Sequence, residues 1–473
     1  MKIQEKLEPT GSGISLQDSF SPAPLAARVL GTDRGNLLRR LLPWAHKGSL
    51  TVIEYGLVYG SHFLISVLLA RWLTAEQYGA FAIAWSVFIL LSLVYQSLVL
   101  EPMSVFGGST YRSNLRAYFA SLMWIHVILS LAIFLLFGAT AGASRLFGAA
   151  AGMPVALAGV TMASPCVFFF WLARRTCYLE LVPGEALAGA FVYSGVVLAA
   201  LWAFYRQHLL SPFIAFVLVG IGSLATGSFL VFRRRLLSHA EGPRPSTRVL
   251  ARQHWNYGAW ALAACIASWI PAYIYYPLLS SFGTMAQSGQ LKALMNLTVP
   301  LEQTKAALSM LLLPYAASVQ HRKDGSGMKI LSARLTLFAV GMGIAYWAII
   351  IPFGKPVFHL LYSGRYMEVA YQIPLVAVGS IFWSAAYGPA MALRGMKSPT
   401  SVFAAYAFAA VASLVIGVPA TWAFGLSGGI WGTNIADIAS FVGVSYLLYR
   451  KLKEHSAASV SESDIMAAVH EEC

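Results

Sequence analysis

The residues of this chain best suited to chemistry lie inside apolar stretches. Tyr55, Tyr59, His62 and Ser66 recur at i, i+4, i+7 and i+11 and so form one stripe of a helix, with Glu54 at its edge. Such a stripe is costly against lipid. It lines a wet cleft, where sugars hydrogen-bond and stack on the tyrosines, or it packs on a neighbouring helix; both readings stay open. A second polar stretch runs from Lys292 to Lys305. At about 100° per residue, Lys292, Asn296 and Gln303 share one face, and Thr298, Glu302, Lys305 and Ser309 share the nearly opposite one. Pro300 between them removes a backbone bond and predicts a kink. Lys305 falls mid-span and is the candidate cation for an anionic phosphate, or else the i, i+3 partner of Glu302. Lys292 lies nearer a span end, within reach of water by snorkelling. Asp437 and His126 read as helix-packing groups, and Glu101, just before Pro102, as a gate or a cap.

No catalytic grouping accompanies these residues. There is no nucleotide-binding P-loop, no HExxH, no Ser–His–Asp arrangement and no metal-ligand spacing, so neither a cofactor nor a metal is expected. A coupling ion, H⁺ or Na⁺, stays undetermined. Cys166, Cys177, Cys265 and Cys473 form neither a disulfide framework nor a metal motif and read as packing residues. A transporter, not an enzyme, is the expectation.

The elements that must hold these residues are transmembrane helices. The chain is 58% hydrophobic and only 11% charged, with a mean hydropathy of +0.65. Soluble domains carry about 25% charged residues. About twelve apolar runs are long enough to cross a ~30 Å hydrocarbon core. The net charge of +14 does not indicate nucleic acid, because the basic residues cluster in alternate loops. With both termini cytoplasmic, the split of Lys and Arg is roughly five to one in favour of the cytoplasmic side. The domain reading is a basic cytoplasmic tail over 1–48, partly amphipathic (25–44) or disordered, then a six-helix lobe over 49–232. A basic linker over 233–256, a second six-helix lobe over 257–449 and a cytoplasmic tail over 450–473 follow.

The two lobes look like copies. Leu69–Gly79 aligns with Leu279–Gly289, sharing a Thr and a Gln-x-Gly ending, and Leu172-Ala173-Arg174-Arg175 aligns with Ala392-Leu393-Arg394-Gly395. An even number of spans per copy puts both into the membrane in the same sense. The predicted fold is therefore an all-α polytopic membrane protein, two six-helix lobes related by a pseudo-two-fold axis along the membrane normal.

The order of motifs resembles a known family. Leu69-Ala70-Arg71-Trp72-Leu73 followed by Glu76-Gln77-Tyr78-Gly79 is similar to the polysaccharide-exporter branch of the multidrug/oligosaccharidyl-lipid/polysaccharide superfamily, which includes O-antigen flippases. Leu311-Leu312-Leu313-Pro314, Phe353-Gly354, Leu360–Tyr366 and Ala392–Pro399 extend the resemblance over nearly the whole chain. The resemblance implies a flippase of the bacterial inner membrane. It would translocate undecaprenyl-pyrophosphate-linked oligosaccharide by alternating access, for O-antigen, capsule or exopolysaccharide synthesis. Its implied partners are membrane lipids, the lipid-linked substrate, a polysaccharide polymerase and a chain-length regulator. Two departures stand out: the usual Tyr after Gly289 is missing, and Asn296 stands where many relatives carry a cation. Lys292 or Lys305 would then supply that charge. The alternatives are a cation-coupled multidrug antiporter, with Glu54 or Asp437 as its acid, and a non-transporting partner in polysaccharide assembly. Arg71 and Glu76 are expected to be structural, at the outer surface.

Overall fold

The computed structural model describes residues 34–146, 152–238, 244–321, 325–396 and 398–471. The chain divides into two compact units, Met1–Ser49 and Leu50–Cys473. In the first, the described part is helical from Arg34, and Ser49 Oγ donates to the His46 carbonyl at 2.9 Å. The amphipathic character expected over 25–44 rests on side chains outside the described residues, as does Cys473.

Helices α1 (Arg34–Trp72), α2 (Ala75–Tyr95), α3 (Glu101–Gly108), α4 (Leu115–Leu146), α5 (Gly152–Leu179), α6 (Pro183–Arg206) and α7 (Pro212–Arg233) build the first lobe. The second contains α8 (Thr247–Tyr273), α9 (Tyr275–Phe282), α10 (Met285–Met295), α11 (Val299–His321) and α12 (Gly325–Ile350). It continues with the short α13 (Gly354–Tyr362), then α14 (Ile373–Ala385), α15 (Tyr387–Gly395), α16 (Pro399–Ala412) and α17 (Val418–Glu471). Among the described residues ten helices are long and apolar enough to cross a membrane. One of these, over Thr400–Glu454, is two crossings, because Gly425 breaks α17 with φ 54°, a conformation glycine adopts without penalty. The pair α10–α11 is the remaining crossing and the most polar, which brings the total to the expected twelve. The protein is thus an all-helical, multi-pass membrane protein of two lobes.

Helix ends show which residues share a face. Arg233 and Arg234, at the end of α7, pair with Glu185 at the start of α6 and Glu180 just after α5. This is called the basic face here; the opposite one is the tip face. On the tip face the repeat seen in sequence has a local cause. Thr74 caps α2, accepting from Gln77 N at 3.2 Å while the Gln77 side chain returns to Thr74 N at 3.1 Å. Thr284 caps α10 with its hydroxyl, accepting from Gln287 N at 3.4 Å, without the return contact from the Gln287 side chain. The glycine two residues further on serves the lobe contact: a Cβ on Gly79 would strike the Met285 carbonyl, and one on Gly289 would lie 3.0 Å from Gly79 N. Helices α2 and α10 make the most extensive contact between the lobes. A pseudo-two-fold axis must run close to a point where equivalent residues touch, so it passes beside Gly79 and Gly289.

Two further devices join the lobes. On the tip face Arg71 Nε donates to Ser363 Oγ at 2.8 Å, and Arg365 donates to the Leu73 carbonyl. Arg71 was expected to be merely structural; it bridges the lobes. The turn that presents Arg365 holds Ser363, Gly364 and Tyr366 at φ of 53°, 83° and 61°. For the two non-glycine residues this left-handed geometry costs about 1–2 kcal/mol each, which the arginine contacts and the packing of Tyr366 against Tyr78 and Tyr362 offset. On the basic side α8 is bound to the first lobe. Tyr111 donates to Gln253 at 3.0 Å; His254 Nε2 lies 2.8 Å from Tyr118 Oη and Nδ1 lies 3.0 Å from the Leu98 carbonyl. Leu98 belongs to a π-turn, Gln96–Leu100, whose wider register helps free a carbonyl for this contact.

Candidate functional site

Two cavities meet at the broken eighth crossing. The break has the predicted cause. Pro300, second residue of α11, cannot donate to the Asn296 carbonyl, and its ring excludes a regular turn there. A 3₁₀ turn over Asn296–Thr298 takes its place. By re-aiming the helix, the turn lets both of its polar faces meet space. Lys292, Val299 and Gln303 line both cavities, together with Tyr273 from α8.

The first-lobe cavity is about 750 Å³. The predicted stripe lines it: Tyr55 and Tyr59, ring centroids 4.0 Å apart, then His62 and Ser66. The alternative of helix packing holds as well, for His62 Nε2 lies 2.8 Å from Tyr193 Oη, and Ser66 Oγ donates to Asn296 Oδ1 at 3.1 Å. Trp85, Phe88 and Trp171 supply further wall. Asn296 closes the tip end, donating to Tyr78 Oη at 3.0 Å and to Tyr362 Oη at 3.4 Å.

The charges differ from expectation in three places, and at Lys305 one of two open readings is taken. Glu54, which showed no obvious partner in the sequence, is fully buried and accepts two hydrogen bonds from Arg174, at 2.5 and 2.6 Å, and one from Tyr178. Arg174 and Arg175, assigned to a loop, turn inward and line the cavity. Their signal was present in the match of Leu172-Ala173-Arg174-Arg175 to Ala392-Leu393-Arg394-Gly395, which marks the symmetry of the lobes but not an inward-facing charge. Lys292 does not snorkel: it is 9% exposed, with Nζ 5.2 Å from the Trp85 ring centroid. Lys305 takes the ion-pair reading, 2.9 Å from Glu302 and 3.3 Å from Ser384 Oγ, and lines neither cavity. With Arg174 neutralised by Glu54, Arg175 and Lys292 face the cavity with no carboxylate within 4.0 Å among the described residues. Among the described residues Arg175 donates to Gln96, at 3.4 Å.

Glu101 stands at the start of α3, within electrostatic reach of Arg175 in the first lobe and Arg394 in the second. His126 packs as expected, its Nδ1 3.1 Å from Tyr95 Oη. Asp437, grouped with it by sequence, lies elsewhere: it lines the second-lobe cavity, about 370 Å³, with Glu302, Asn434 and Trp383. Among the described residues no group of three metal-ligating side chains converges, and Cys166, Cys177 and Cys265 are free.

No family model and no curated protein matches the chain. Solved structures do. An inward-facing multidrug-resistance MATE family transporter of the MOP superfamily superposes with a TM-score of 0.70 at 14% identity, covering 86% of this chain and 96% of that one. An outward-facing MATE transporter gives 0.62 at 13% identity, covering 87% and 96%. The lipid II flippase MurJ, in an inward closed conformation, gives 0.63 at 14% identity, covering 90% and 92%. At such identity the likeness defines the fold: this chain has the fold of MOP superfamily transporters.

Proposed function

We propose that the protein is a flippase that carries undecaprenyl-pyrophosphate-linked oligosaccharide across the bacterial inner membrane, for O-antigen, capsule or exopolysaccharide synthesis. The basic face and both termini would be cytoplasmic, in keeping with the distribution of Lys and Arg. The observation that carries the reading is the pair Arg175 and Lys292, two cations without a carboxylate at salt-bridge distance, facing one aromatic-walled cavity. An unpaired buried cation costs several kcal/mol, a cost that an anionic headgroup beside Lys292 would offset, while the half-buried Arg175 adds a second positive charge to the same cavity. The tyrosine and tryptophan faces suit sugar rings, while the prenyl chain can stay in lipid. Alternating access would follow from release of the tip-face contacts as the basic face closes.

The test is flipping by the purified protein in proteoliposomes, using a prenyl-pyrophosphate oligosaccharide and a membrane-impermeant sugar oxidant. Arg175→Ala and Lys292→Ala should each lower the rate by about tenfold or more, the effect of losing one charge-assisted contact. Wild-type rates in both variants would overturn the assignment. The cation-coupled antiporter remains the second reading because Asp437 lines a cavity; Glu54 no longer supports it, since its carboxylate is held by Arg174 and Tyr178.

A further inference from the structure

The second-lobe cavity is lined for a different ligand chemistry from the first. Its polar walls include Glu302, Asp437, Asn434 and Ser380, with Lys292 and Gln303 at the border it shares with the first cavity, and its aromatic walls include Trp383 and Tyr406, rings 6.2 Å apart. Several of these polar atoms have no partner. Ser380 is 5% exposed and its Oγ makes no hydrogen bond; Gln303 Oε1, at the boundary with the first cavity, is likewise buried and unpartnered. Among the described residues Asp437 makes no ion pair within 4.0 Å. Others are fixed in orientation. Asn434 Nδ2 donates to the Leu375 carbonyl at 2.8 Å, which leaves its Oδ1 as the acceptor, and the Trp383 indole donates to Glu302 at 2.8 Å, which holds the ring in the wall.

We infer that this cavity is a sugar subsite, which takes a pyranose of the substrate's glycan while the first cavity takes the pyrophosphate. The inference rests on the flippase reading and specifies it. Carboxylate and amide oxygens accept from sugar hydroxyls, Ser380 Oγ can donate or accept, and a ring face covers the apolar side of a pyranose. A bare cation fits less well. At about 370 Å³ the space is of a size for a ring with its hydroxyls rather than for one bare ion. A second anion is disfavoured by Asp437, since Glu302 is the carboxylate already paired, with Lys305. Because Lys292, Val299 and Gln303 border both cavities, one ligand can straddle them, phosphate on one side and sugar on the other.

The experiment is calorimetric binding to the purified protein in nanodiscs, with two probes: farnesyl pyrophosphate, and farnesyl pyrophosphate bearing one N-acetylhexosamine. Wild type should bind the sugar-bearing probe more tightly. Asp437→Asn and Trp383→Leu should each weaken that probe about tenfold and leave farnesyl pyrophosphate within about twofold, which also shows that the variants are folded. Equal loss for both probes, or none, would overturn the subsite. So would a sodium-binding signal in wild type that Asp437→Asn abolishes with the sugar preference intact, because the cavity would then be a cation site. If wild type binds neither probe, the flippase reading itself fails; if it binds both equally, the sugar subsite alone fails.

Discussion

The charge balance of the first cavity depends on Glu54. Its carboxylate is fully buried and cancels Arg174, which is what leaves a net excess of two cations in place of three. Removing one member of a buried pair strands the other, typically at a cost of about 3–5 kcal/mol. Glu54→Gln should therefore destabilise the protein by about 3 kcal/mol, and Glu54→Gln with Arg174→Gln by clearly less. Thermal unfolding in detergent measures both, and an equal loss in the single and double variants would remove the pair from the account. Sequence reading found the polar stripe on α1 because helical periodicity is local. It did not find Arg174 as the partner of Glu54, because the two are 120 residues apart and only the packing of α5 on α1 joins them. Asp437 was undervalued for the same reason, since its cavity is made by elements distant in the chain.

At the scale of elements, the tip-face latch joins the two lobes. Arg71 and Arg365 cross between the lobes in opposite senses, the second from a turn with two non-glycine residues in left-handed geometry. Each such hydrogen bond contributes on the order of 1 kcal/mol. Losing both in Arg71→Ala, Arg365→Ala should shift the ratio of tip-closed to tip-open molecules by about tenfold or more. Spin labels placed on the two tip loops would report this as a new, longer distance in pulsed dipolar spectroscopy; an unchanged distribution would show that the latch carries no load. The loop residues Leu360–Tyr366 were legible in sequence as a motif but not as a latch, because nothing local says which loop they reach. The broken α10–α11 crossing was legible in full: Pro300 is a local cause with a local effect.

For the whole molecule, twelve crossings and two copies followed from hydropathy and from one short repeat. The repeat was readable because its Thr caps a helix twice and its Gly serves the same contact twice. The contact also makes a prediction. Gly79→Leu places a side chain against the Met285 carbonyl and must push the lobes apart at the axis. Flipping in proteoliposomes should fall to background while the protein still folds as a monodisperse species in detergent; normal flipping would mean that the lobes do not need this approach.

The crossing at Gly79 has a mechanical corollary. It divides α2 unequally, about five residues toward Thr74 and about seventeen toward Gln96, or ~7 Å and ~25 Å at 1.5 Å per residue. If the helix rocks there as on a fulcrum, a tilt of about 20° moves the far end ~9 Å and the near end only ~2.5 Å. The short arm ends beside Leu73, whose carbonyl Arg365 holds. A displacement of that size is enough to part a hydrogen bond and little more. A protein rocking so would be geared about three or four to one, and a wide movement at the mouth of the cavity would be governed by bonds of ordinary strength at the other end of the same lever.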